Sequence, residues 1–205
     1  DKDTDFKMVY YNSDGRQGTM CGNGGRCLVA FAKYLGVIND EATFMAVDGL
    51  HHATVDGEVV SLQMQDVSQV QENQDFLFLD TGSPHHVQLV EDVQKVDVPV
   101  EGAKLRYGLY SENGSNINFV TAEGQDSFNV RTYERGVEDE TLSCGTGVTA
   151  VALAMHKIGK VSGNKVTVKT QGGSLFVHFE MGDNGYHDIH LIGPAEQVFK
   201  GEILC

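Results

Sequence analysis

The chain has 205 residues, 40% of them apolar, and carries a formal net charge of −14. That length suits one large domain or two small ones with a substantial core. The charge argues against nucleic acid and anionic membranes as partners, and no run approaches the roughly 18 apolar residues of a membrane-spanning helix.

The opening "DKDTDFKMVYYN" has no initiator methionine, basic region or apolar stretch, so it is not read as a signal peptide. "TMCGNGGRCLVAFAKYLG", residues 19–36, then sets Cys21 before a glycine-rich turn and a mostly apolar helix. "ATFMAV", "HATV" and "VVSLQMQ" alternate like half-buried strands, with "VDGE" as a hairpin turn. "FLFLD", "HVQLV" and "NINFVT" continue in strand-like fashion. At residues 142–159, "LSCGTGVTAVALAMHKIG" repeats the cysteine, the glycines and the helix; "VTVKT", "SLFVHFE" and "HDIHLI" follow, with a turn at "GDNG".

Cys21 and Cys144 lie 123 residues apart, as do Gly36 and Gly159, and Gly49 and Gly172. Three anchors at one offset, without a gap, indicate an internal duplication. In the second helix, Val148 and the run from Ala150 to Met155 leave almost no polar face, so that helix must be enclosed. The expected fold is therefore α+β: two pseudo-symmetric lobes, each a curved antiparallel sheet or barrel around a central helix. An α/β sandwich with helices on one face is the alternative. Residues 1–66 with 194–205 are assigned to the first lobe and 67–193 to the second.

The four cysteines are Cys21, Cys27, Cys144 and Cys205. Without a CxxC or a secretion signal they read as free thiols in a reducing, cytoplasmic compartment. Cys27 aligns with Ala150 and is expected to be core packing; Cys205 is expected to be incidental. No metal is expected: ligand-spaced Cys and His pairs are lacking, and the neighbours His51–His52 and His85–His86 point to opposite faces of a strand. A cysteine at a helix N-terminus, by contrast, has its thiolate favoured and its pKa lowered. Beside it, Gly22, Gly24 and Gly25 in one copy, and Gly145 and Gly147 in the other, let amides approach an anion. Two such sulfurs facing across one carboxylate suit inversion of the adjacent stereocentre, with one as base and the other as acid.

"NSDGRQGTMCGNGGRC", "TGSPHHV", "YERGVEDETLSCGTG", "QGGSL" and "IGPAEQVFKGEI" together resemble the diaminopimelate epimerases, in the family's order from about Phe6 to Ile203. The resemblance implies a cofactor-independent two-cysteine isomerase of LL- and meso-2,6-diaminopimelate, in lysine and peptidoglycan precursor synthesis, and suggests a homodimer. It implies that Cys21 and Cys144 are the acid/base pair and that Gly22, Asn23, Gly145 and Thr146 hold the reacting carboxylate through their amides. Asn12, Asn116, Glu134 and Arg135 would bind the substrate's amino and carboxylate groups, and His85 with Glu134 would tune the cysteines. Ser83 stands where the family usually has asparagine and is a further expected contact. The family's opening segment, with its His-Gly-x-Gly-Asn-Asp run, has no match here. The expectation is therefore a truncated chain with an opened first lobe and poor activity on its own.

Three other functions compete with this one. A proline racemase or hydroxyproline epimerase would share "SCGTG", but an arginine with asparagines serves a second charged end that proline lacks. A thiol-switch protein would join Cys21 to Cys144 in a regulatory disulfide. A nucleotide-binding module is weak, because "GNGGR" lacks the GxGxxG spacing.

Overall fold

The computed structural model describes residues 4–12 and 15–202. Ser13, Asp14 and Cys205 lie outside the described residues, and with them the assignment made for Cys205. Among the described residues three α-helices form: α1 (Gly22–Tyr34), α2 (Val98–Tyr110) and α3 (Gly145–Lys157). The first strands are β1 (Phe6–Lys7), β2 (Glu41–Ala46), β3 (Gly49–Asp56) and β4 (Val59–Gln63). They are followed by β5 (Gln71–Glu72), β6 (Leu77–Asp80), β7 (Pro84–Leu89), β8 (Asn116–Gly124), β9 (Ser127–Glu134) and β10 (Asp139–Thr141). The last three are β11 (Lys165–Thr170), β12 (Gly173–Gly182) and β13 (Gly185–Pro194).

All the strands join one sheet, in the order β1-β2-β3-β4-β13-β12-β11-β9-β8-β7-β6-β5, with β10 added on β9. The duplication is written into this order. Outward from the antiparallel β4–β13 junction, β4-β3-β2-β1 on one side matches β13-β12-β11-β9 on the other. Both series are antiparallel until the last pair, and β1–β2 and β9–β11 are both parallel. The predicted turns are where the sequence put them: Gly57 turns β3 into β4 with φ +59, and Gly185 opens β13 with φ +105.

The repeat is not gapless. The helices are offset by 123 residues, but β2 and β11, like the starts of β3 and β12, are offset by 124. One extra residue therefore lies between α3 and β11. The left-handed counterpart of Gly49 (φ +132) is Gly173 (φ +127) and not Gly172. The helix ends are unaffected: Gly36 and Gly159 take φ +71 and +70, the left-handed C-terminal conformation glycine adopts without steric cost.

The two helices differ in their surroundings. Every residue of α3 from Gly145 to Met155 is buried, enclosed by β6–β9 and β11–β13. In α1, only Gly22, Gly25, Arg26, Val29 and Ala32 are buried, on the side that meets β3, β4 and β13. Cys27 is therefore exposed, which corrects its reading as core. Its counterpart Ala150 is fully buried because the second sheet continues past β9 through β8, β7 and β6. Among the described residues nothing continues the first sheet past β1. Most buried apolar residues of both halves nevertheless form one connected core, from Val29 and Phe44 to Leu153 and Leu191, with a smaller cluster of Val93, Val98, Ile117, Phe119 and Tyr133 beside α2.

The asymmetry is measurable as stability. Leu153→Ala removes a fully buried side chain and should cost about 2–5 kcal/mol of unfolding free energy. Phe31→Ala, on a side chain 52% exposed, should cost less than about 1 kcal/mol. Urea denaturation of both variants checks the contrast, and equal costs would show that α1 is as enclosed as α3.

Candidate active site

The site begins with two glycines that have no room for a side chain. A Cβ on Gly145 would come 2.9 Å from the Asn23 amide nitrogen and 3.0 Å from Gly22 Cα; one on Gly22 would come 3.3 Å from Gly145 Cα. The N-termini of α1 and α3 thus abut backbone to backbone, with Leu191 beneath both. Each helix is preceded by its cysteine in nearly the same extended conformation: Cys21 at φ −112, ψ 103 and Cys144 at φ −115, ψ 110. The geometry follows from the sequence Cys-Gly-x-Gly, in which the cysteine is the N-cap and the first glycine is the contact point.

Both cysteines line one cavity of about 350 Å³. Of the residues expected there, Asn12, Gly22, Asn23, Ser83, Asn116, Glu134, Arg135, Gly145 and Thr146 also line it. His85 does not. It is fully buried and reaches the site through Thr146, whose Oγ1 lies 2.9 Å from His85 Nε2 and 3.5 Å from Cys144 Sγ. Tyr10, Thr19, Arg106 and Glu138 are also among its lining residues. Thr19 and Glu138 lie within "NSDGRQGTMCGNGGRC" and "YERGVEDETLSCGTG", where nothing in their own chemistry singles them out; Tyr10 and Arg106 lie outside both stretches and carry no positional cue.

Several expected contacts are already committed within the protein. Asn116 Nδ2 donates to Ser83 Oγ at 2.9 Å and to the Pro84 carbonyl at 3.0 Å, while its Oδ1 accepts from the Arg135 amide at 2.9 Å. Asn116 therefore fixes the arginine's backbone and the serine, with only an oxygen lone pair left for a ligand. Ser83 also accepts from Thr19, tying the turn before Cys21 to the loop before β7. Glu134 accepts from the Thr141 hydroxyl at 2.7 Å. Arg135 Nη1 donates to the Asn113 carbonyl at 2.8 Å.

The electrostatics correct one expectation. Cys21 accepts the Gly24 amide at 3.4 Å, as a helix N-cap should, and the nearby amides do favour its thiolate. Burial outweighs them, and the Glu134 carboxylate adds to it, so the Cys21 thiol is raised above its ordinary pKa. Burial, then Glu134, push the Cys144 thiol up to about 12. A helix end contributes about 0.3–1 kcal/mol when exposed and up to ~2 kcal/mol when partly buried, less than desolvating a charge costs. Burial likewise raises Glu134 and, assisted by Arg135, takes His85 down to about 3. The imidazole is therefore neutral. Desolvation, followed by the charge of nearby Arg106, lowers Arg135.

The family model for diaminopimelate epimerase matches residues 77–198. A diaminopimelate epimerase of Flavobacterium psychrophilum is 57% identical over 205 residues, covering 99% of this chain and 80% of its own length. One of Chlorobaculum tepidum is 42% identical, covering 97% of this chain and 80% of its own length. Among solved structures, a phenazine biosynthesis protein of the PhzF family from Bacillus anthracis superposes with a TM-score of 0.79 at 13% identity, over 100% of this chain and 82% of that one. A methylitaconate-delta-isomerase superposes with a TM-score of 0.59 at 12% identity, over 89% of this chain and 71% of that one. These structural likenesses establish the two-lobed α+β architecture. With two cysteine-capped helices meeting at one cavity and sequence relatives that match nearly the whole of this chain, the chain belongs to the diaminopimelate epimerase family.

Proposed function

We propose that the protein is a cofactor-independent isomerase interconverting LL- and meso-2,6-diaminopimelate, in the synthesis of lysine and peptidoglycan precursors, with Cys21 and Cys144 as its two acid/base groups. The single observation that carries this reading is that the two cysteines cap abutting helices on the wall of one cavity. One sulfur, as thiolate, takes the α-hydrogen as a proton. The electron pair of the broken C–H bond passes into the carboxylate, and the other sulfur, as thiol, gives its proton to the opposite face of the carbon. The roles of the two are then exchanged, and the reverse reaction uses them in the other order.

The first-turn amides of Gly22, Asn23, Gly145 and Thr146 have no acceptor within their helices. They support the reading as donors to the carboxylate while charge builds on it. Glu134 suits the α-ammonium. Its carboxylate raises both thiols in the absence of substrate, so pairing it with a cation removes that opposition as substrate enters. Arg135 suits the distal carboxylate, which favours a substrate with two charged ends over proline. Residues 1–66 with 194–205 and 67–193 are the lobes in this reading, with substrate between them and water excluded on closure. A cytoplasmic homodimer is part of the same proposal; among the described residues no helix is long and apolar enough to cross a membrane.

Replacing Cys21 or Cys144 by serine should lower kcat for diaminopimelate by about 10²–10⁴. Each replacement should impair deuterium exchange at the α-carbon of one stereoisomer more than of the other. Equal exchange losses from both isomers would rule out two bases, and turnover of L-proline in place of diaminopimelate would redirect the substrate assignment.

The pH dependence follows from both thiols being raised. Each is protonated in the free enzyme at neutral pH, and the reaction needs one thiolate. The value of kcat/KM should therefore climb with pH, its acid limb lying above the ordinary thiol value of about 8.5, and fall only when the second thiol also ionises. A profile already level at about pH 7 would mean that one sulfur is a resting thiolate.

A further inference from the structure

Behind Cys144 runs a chain of buried hydrogen bonds whose direction is fixed at its far end. Asn118 stands two residues from Asn116 on β8, on the same face, and is fully buried. Its Nδ2 donates to the His86 carbonyl at 2.8 Å, and its Oδ1 accepts from the Thr132 hydroxyl at 3.0 Å. A carbonyl oxygen only accepts, so the His86 carbonyl settles which end of the amide is nitrogen. The same Nδ2 lies 3.1 Å from His85 Nδ1. That ring nitrogen faces a donor and must be the bare one, which in a neutral imidazole leaves the hydrogen on Nε2. Nε2–H then donates to Thr146 Oγ1 at 2.9 Å. The hydroxyl accepts there, and its single hydrogen is left for Cys144 Sγ at 3.5 Å.

We infer that Asn118 is a positioning residue. By holding His85 in its Nε2–H tautomer, it turns the Thr146 hydroxyl proton onto Cys144 and supports the thiolate of that cysteine alone. The inference rests on the two-base reading above. Cys21 has no such relay: at the 123-residue offset the counterpart of Thr146 is Asn23, whose side chain donates instead to the Ser143 carbonyl at 2.9 Å. The other titratable groups facing Cys144 are Glu134 on β9, Cys21 at the head of α1, and Tyr10 before it; Arg135 faces His85. None of them is altered by changing Asn118 or Thr146.

Two measurements on the whole chain test the relay without relying on turnover. Ring-nitrogen ¹⁵N NMR should show His85 protonated at Nε2 and bare at Nδ1; the opposite tautomer would overturn the inference. Iodoacetamide alkylation rates of each cysteine at one fixed pH, mapped by mass spectrometry, compare the thiolate populations. Thr146→Val should slow alkylation of Cys144 about tenfold and leave that of Cys21 in place, and Thr146→Ser should restore it. Asn118→Asp, whose carboxylate accepts from Nδ1–H, should invert the tautomer and slow alkylation of Cys144. In the Thr146→Val background only the effect of the added charge should remain, smaller than the loss Asn118→Asp causes with Thr146 present. Should the aspartate variant fail to fold, the valine–serine pair and the wild-type NMR decide the question. Equal slowing at both cysteines, or at neither, would overturn the relay, whereas failure of the two-base reading would appear only in the activities of Cys21→Ser and Cys144→Ser.

Discussion

The whole site depends on a contact that contains no side chain. Where α1 meets α3, Gly22 and Gly145 face each other closely enough that a methyl group on either would strike the other's backbone. That absence of bulk brings two helix N-termini, each with its orphan amides, to the wall of one cavity. The cysteine before each helix is carried along with it. The internal symmetry gives the two sulfurs nearly identical backbone conformations, so one local solution used twice produces a pair. The mixed sheet on either side serves this contact by fixing where the helices start.

Around that pair the environment is deliberately unequal. Cys21 receives an amide of its own helix. Cys144 is more deeply buried and is backed by Thr146, His85 and Asn118. Burial dominates both thiols and holds them protonated, against the pull of the helix ends. A desolvation cost competes with a few favourable dipoles, and removing water without yet supplying a cation leaves the first in command.

Much of this was legible in the sequence because it is local. Cys-Gly-x-Gly before an apolar helix states its own geometry, and its recurrence at a fixed offset states the symmetry. The alternating runs and the turns at Gly57 and Gly185 were equally plain. The rest was not local. The extra residue between α3 and β11 is invisible to the glycine anchors, and the strand offsets with the matched φ of Gly49 and Gly173 expose it. Cys27 reads as core in the sequence but is exposed, because burial depends on which strands surround a helix, not on the helix itself. Sequence chemistry placed Asn116 in the site, but its amide is spent on Ser83, Pro84 and Arg135. Asn118, Tyr10 and Arg106 matter through distant partners, for which no spacing rule exists. A helix end by itself predicts lowered thiols, and its pull is of the right sign but smaller than the cost of burial.

The β4–β13 ladder has a consequence for how the molecule comes apart. From His190 opposite Gln63 to Pro194 opposite Val59, it stitches the two halves into one sheet over a shared core. Neither half can melt without stripping a strand partner and apolar cover from the other. The chain should therefore lose its structure in a single cooperative event, and a partly melted molecule that keeps one cysteine-bearing half intact has no basin of its own.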